Sequence, residues 1–126
     1  MKMHRHFAWF GSTVLFLLMA HAPASAHAEL RRATPAAGSA VAAAPAEVVL
    51  NFSELLEGAF SSVIVRDAAG TRVDKANAHV DPADRTAMRV SLKPLAKGTY
   101  TVVWRALTAD THRTDGTFSF RVGESQ

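Results

Sequence analysis

Thr117-Phe118-Ser119-Phe120-Arg121-Val122 places an apolar residue at every second position, with Thr117, Ser119 and Arg121 between them. Side chains of an extended strand point alternately to opposite faces, so this stretch predicts a strand with one face in a core and the other in water. The same period recurs upstream. Tyr100, Val102 and Trp104 alternate with Thr101, Val103 and Arg105; Met88, Val90 and Leu92 alternate with Arg89 and Ser91. Phe60, Ser62 and Ile64 alternate with Ser61, Val63 and Val65, and Val48, Leu50 and Phe52 alternate with Glu47, Val49 and Asn51. Turn signals lie between the strands at Asp67-Ala-Ala-Gly70, Asp81-Pro82, Lys97-Gly98 and Asp115-Gly116. No segment carries a sustained helical stripe. Short half-buried strands separated by turns predict an all-β fold, an antiparallel sandwich or Greek-key β-barrel. Its expected core is Leu50, Phe52, Val63, Val65, Val90, Leu92, Tyr100, Val102, Trp104, Phe118 and Phe120.

Residues 32–45 are rich in Ala, contain Pro35, Gly38 and Pro45, and read as an extended entry segment with turns. Before them the composition changes. Lys2 and Arg5 precede a mostly apolar stretch from Phe7 to Ala20, and Ala24-Ser25-Ala26 supplies the small residues a signal peptidase reads. A membrane span needs about 20 apolar residues, and this stretch is shorter and interrupted by Gly11, Ser12 and Thr13. Residues 1–26 are therefore expected to be a cleaved signal peptide, and residues 27–126 one domain exported to the periplasm. A cut after Ala28 is the rival.

Loss of Lys2 and Arg5 lowers the formal net charge from +3 to +1. The remaining bases, among them Arg31, Arg66, Lys75, Arg89 and Arg121, are interspersed with Asp and Glu, so no phosphate-binding stripe is visible and nucleic acid is not an expected partner. There is no cysteine, which excludes disulfides, thiolate metal sites, iron–sulfur clusters and thiol catalysis.

Cleavage after Ala26 would make His27 the first residue and join a free α-amine to an imidazole. The amine and ring Nδ1 can then close a six-membered chelate around a metal. In Asp110-Thr111-His112, an extended backbone would project the carboxylate and the imidazole to the same side. Amine, two imidazoles and one carboxylate make an N3O set, which suits the tetragonal preference of Cu(II). Each motif also has a plain reading, an exposed terminal histidine and a solvated loop. His79, in a polar stretch, reads as a surface residue, and Met88 as a core residue.

Several runs together resemble the CopC family of periplasmic copper-resistance proteins: His27-Ala-Glu-Leu30, Thr34-Pro35-Ala-Ala-Gly38, Val49-Leu50-Asn51-Phe52-Ser53-Glu54, Gly98-Thr-Tyr100-Thr-Val-Val-Trp104-Arg105, Asp110-Thr-His112 and Gly116-Thr-Phe118-Ser-Phe120. The resemblance implies a cupredoxin- or immunoglobulin-like Greek-key fold that holds Cu(II) through His27, Asp110 and His112. It also implies an acidic residue near the site after the Phe-Ser pair, here Glu54. Some members carry a Met-rich Cu(I) site; the processed chain has only Met88.

The reading that follows is a binding protein rather than an enzyme, one that buffers or carries periplasmic copper in exchange with an inner-membrane copper transporter of the CopD type. A histidine brace also occurs in polysaccharide-oxidising copper enzymes. Tyr100 and Trp104 fall on the expected core face, however, which leaves no aromatic platform for a polysaccharide. A metal-free sandwich module would leave His27, Asp110 and His112 unexplained.

Overall fold

The computed structural model describes Met3 and residues 27–123, so the expected signal peptide lies outside the described residues. Among the described residues eight strands form two four-stranded sheets. They are β1 (Leu30–Thr34), β2 (Ala40–Val41), β3 (Glu47–Phe52), β4 (Ser62–Arg66), β5 (His79–Val80), β6 (Ala87–Ser91), β7 (Gly98–Leu107) and β8 (Arg113–Val122). One sheet has the order β1-β3-β6-β5 and the other β2-β8-β7-β4, so the chain crosses repeatedly between layers. All pairings are antiparallel except that of β2 with β8. This is the expected all-β sandwich.

Alternation decides which residues fill the space between the layers. Val48, Leu50 and Phe52 from β3 and Met88 and Val90 from β6 face Val63, Val65, Val102, Trp104 and Phe120 of the other sheet, all buried. Burying a side chain of this size is worth about 1.5–3 kcal/mol each, so this layer is the main source of stability. Trp104 meets Phe52 edge to face at 5.1 Å, while Tyr100 stacks on Phe120 at 5.6 Å and donates its hydroxyl to the Ala96 carbonyl at 2.6 Å. Phe118 is only partly buried, at the margin of this core.

Three local expectations give way to tertiary structure. Asp115-Gly116 is no turn: both residues lie within β8, opposite Arg105 and Trp104. Glycine is required there because the Trp104 indole covers the backbone, and a Cβ would come within 2.5 Å of the ring. Phe60 does not open β4. It sits in a 3-10 turn, Gly58–Phe60, and is 68% exposed. The bases that look scattered along the chain are partly gathered: Arg66, Arg105, Arg113 and Arg121 share the outward face of β4, β7 and β8.

The edge of β4 is closed by a side chain. Asp74 is buried, accepts the Val65 and Ala76 amides at 2.9 Å each, and meets the Arg72 guanidinium at 2.9 Å. Burial pushes its carboxyl up, but the Arg72 bond and the two amides outweigh that and hold it below the ordinary carboxylate value.

Candidate metal centre

β7 and β8 are joined at one end of the sandwich by the turn that contains Asp110, Thr111 and His112. Thr108 organises it. Its amide donates to the His112 carbonyl at 2.9 Å, its hydroxyl oxygen accepts the His112 amide at 3.0 Å, and its hydroxyl proton goes to Asp110 Oδ1. Thr108 is fully buried, so these bonds are shielded from water and fix the turn. The backbone is not extended at this point: Thr111 has φ 73°, a left-handed conformation that a non-glycine residue holds only when the surroundings fix it. Asp110 and His112 nevertheless converge, with His112 Nδ1 3.2 Å from Asp110 Oδ1. The Thr108 hydroxyl, and then His112, hold the Asp110 carboxyl below its ordinary value, so it is a carboxylate at neutral pH.

The segment before β1 runs alongside this turn. Ala28 is buried, and its carbonyl accepts the Thr114 hydroxyl of β8 at 2.9 Å. Glu29 and Ser53 are joined twice, Glu29 N–H to Ser53 Oγ and Ser53 N–H to the Glu29 carbonyl, both at 2.9 Å. The Ser53 hydroxyl in turn reaches the His27 carbonyl at 3.4 Å. Ser53 follows β3 in one sheet and Thr114 lies on β8 in the other, so both layers anchor the arm. It brings the His27 ring to 5.4 Å from that of His112, edge to face, between residues 85 positions apart.

His27, Asp110 and His112 are thus neighbours on an exposed rim. Glu54 is half-buried beside Ser53 and makes no ion pair or side-chain hydrogen bond with the other three. Among the described residues no group of three or more His, Cys, Asp or Glu side chains is already arranged to hold a metal ion, His27, Asp110 and His112 included. The donor chemistry still fits a metal with nitrogen preference. The turn presents an imidazole nitrogen of His112 and a carboxylate oxygen of Asp110 as donors, with the His27 imidazole beside them. Sequence reasoning missed the residues that position these donors, Ser53, Thr108 and Thr114. Ser53 lies in the run Asn51-Phe52-Ser53-Glu54, but a hydroxyl in a strand or turn carries no signal of what it holds. His79 is exposed, with Nδ1 2.9 Å from the Asn77 carbonyl, away from this rim.

Residues 30–123 match the family model of the CopC domain. A copper transport protein of Bacillus subtilis, CutJ, is 32% identical over 118 residues; the match covers 93% of this chain and 22% of that protein. The chain thus spans about a fifth of the length of that relative. Among solved structures, CopC from Methylosinus trichosporium OB3b superposes with a TM-score of 0.69 at 31% identity, covering 79% of this chain and 99% of that one. PcoC, a methionine-rich copper resistance protein from Escherichia coli, gives a TM-score of 0.65 at 40% identity, covering 77% and 99%.

Proposed function

This chain belongs to the CopC family, and from that premise we propose that it is a periplasmic copper-binding protein that holds one Cu(II) at the His27, Asp110 and His112 rim. Relatives named for copper transport and copper resistance support copper as the cargo. The observation that carries the assignment is the 5.4 Å approach of the His27 and His112 rings, with Asp110 at 3.2 Å from His112. A solvated loop and a free terminus have no reason to be pinned together from both sheets. Cleavage after Ala26 would add the α-amine to this set, beside the imidazole nitrogens of His27 and His112 and a carboxylate oxygen of Asp110. Imidazole and amine nitrogens with one carboxylate match the tetragonal preference of Cu(II). Glu54, the residue after Ser53, is assigned the part of an outer acidic group.

The task is binding and release, not turnover. In CutJ the matched region is part of a much longer copper transport protein, which supports copper exchange with a membrane transporter of the CopD type. Met88, the one methionine after residue 26, is fully buried between the sheets, so a methionine-rich Cu(I) site is no part of the proposal. Intact-mass measurement of periplasmic protein with and without Cu(II) tests the reading: one ion per chain that starts at His27 is expected, and a chain that starts at Glu29 or binds no copper refutes it.

A further inference from the structure

We propose that the outward face of β4, β7 and β8 docks the protein on an anionic phospholipid surface. The proposal rests on the periplasmic reading above, but on different residues. Strand register sets the composition of the face. Arg105 lies between Ser62 and Asp115, Val103 between Ile64 and Thr117, and Thr101 between Arg66 and Ser119, while Arg113 and Arg121 stand opposite Leu107 and Thr99. Four arginines therefore share the face with one aspartate.

Among the described residues none of these four arginines is in an ion pair. The other sheet is treated differently: Arg89 on its outward face is held by Glu47 at 2.8 Å and Asp81 at 3.0 Å. A processed chain that is close to neutral overall thus concentrates unneutralised positive charge on one side. Guanidinium groups match phosphate oxygens in geometry as well as charge.

The apolar component lies at the border of the same face. Phe60 is 68% exposed, and with Arg105, Arg113 and the single acid of the face, Asp115, it walls a shallow depression of about 300 Å³. An exposed aromatic beside free arginines is the composition of a surface that rests among lipid headgroups. Breadth favours a bilayer over an acidic peptide. Arg113 and Arg121 are eight residues apart on one strand, about 26 Å at strand rise, and Arg66 and Arg105 extend the charge across two more strands. A plane of headgroups meets all four at once. Each arginine near such a surface strengthens binding by about fivefold at low salt.

The test uses the chain from His27, because the core lies within residues 28–122 and the solved CopC relative is 99% covered by the matched region. Co-sedimentation with vesicles of phosphatidylglycerol and phosphatidylcholine should show binding that fades as salt rises, with none to phosphatidylcholine alone. Arg105→Gln with Arg121→Gln should weaken binding at least about tenfold. Phe60→Ser should weaken it further, and Arg32→Gln on the opposite sheet should leave it unchanged. Thermal unfolding checks that each variant is folded. Copper titration of the same samples reads the metal rim separately, and vesicle binding retained by His112→Ala supports docking whatever that variant does to copper. No binding to phosphatidylglycerol vesicles overturns the proposal, as does binding indifferent to the arginine changes. Retention by soluble poly-L-glutamate without vesicle binding would assign the face to an acidic protein segment instead, and also overturns it.

Discussion

Trp104 lies so close over Gly116 that a Cβ on residue 116 would stand 2.5 Å from Cζ2 and 2.6 Å from Cε2 of the indole. The two face each other across β7 and β8 a few residues from the turn that carries Asp110 and His112. Contacts under 3 Å must be relieved, and the neighbour here is a rigid ring packed on Phe52 with almost no room to move.

Gly116→Ala should therefore lower stability by about 1–3 kcal/mol, the usual cost of overpacking. Urea unfolding measures this. Trp104→Leu, itself destabilising, should make the added methyl of Gly116→Ala less harmful than it is beside tryptophan. Equal losses in both backgrounds would mean that backbone strain, not the indole, sets the cost.

His112→Ala should weaken Cu(II) binding more than Asp110→Ala, because imidazole is the better donor to Cu(II) and a water can replace the carboxylate oxygen. His79→Ala should change little. Competition titration ranks the three variants, and paramagnetic resonance should report a tetragonal, nitrogen-dominated site. Asp110→Ala as harmful as His112→Ala would mean that the carboxylate does more than supply one oxygen.

Affinity should depend on the free α-amine at His27. A chain that keeps an added Met before His27 has an amide in its place and loses the chelate ring, which should cost at least about tenfold in Kd. The added residue should leave thermal unfolding of the metal-free protein unchanged, because among the described residues no core residue precedes Ala28. Equal copper affinities of the two forms would place the ion elsewhere.

Asp74→Asn should destabilise by about 1–3 kcal/mol at pH 7, since a buried charge-assisted bond to Arg72 is lost. The Asp74 carboxyl is held below its ordinary value in the fold. Its contribution is therefore present above the unfolded value of about 3.9 and is lost as pH falls through the lower folded value. The difference in urea midpoint between wild type and variant should narrow steadily as pH is lowered below about 4. A gap that does not change across the acid range would mean that packing, not charge, is what Asp74 supplies.

Much of this architecture is legible in the chain because one signal is strong. Tyr100, Val102, Trp104 and Phe120 recur at every second position, opposite in face to Thr101, Val103, Arg105, Ser119 and Arg121, and each is buried where the period puts it. Asp115-Gly116 misleads because a close approach to a ring from another strand and a turn both call for glycine, and only the register separates them. Asp110 and His112 do converge, though the extended geometry expected there is replaced by a turn fixed by Thr108. The arginine face was illegible for a deeper reason: Arg66, Arg105, Arg113 and Arg121 become neighbours only through strand pairing, which a period of two does not encode.

The doubly anchored arm gives bound copper a mechanical meaning. An ion shared by His27 and His112 would close a loop of 85 residues in a chain with no cysteine, a reversible staple across nearly the whole domain. Because the bridge lets go when the chain unfolds, its stabilisation follows mass action and grows with free copper, about 2.7 kcal/mol at a hundred times Kd. Metal supply would then set the lifetime of the folded protein: loaded molecules would resist heat and proteases, and those emptied of copper would be the first cleared.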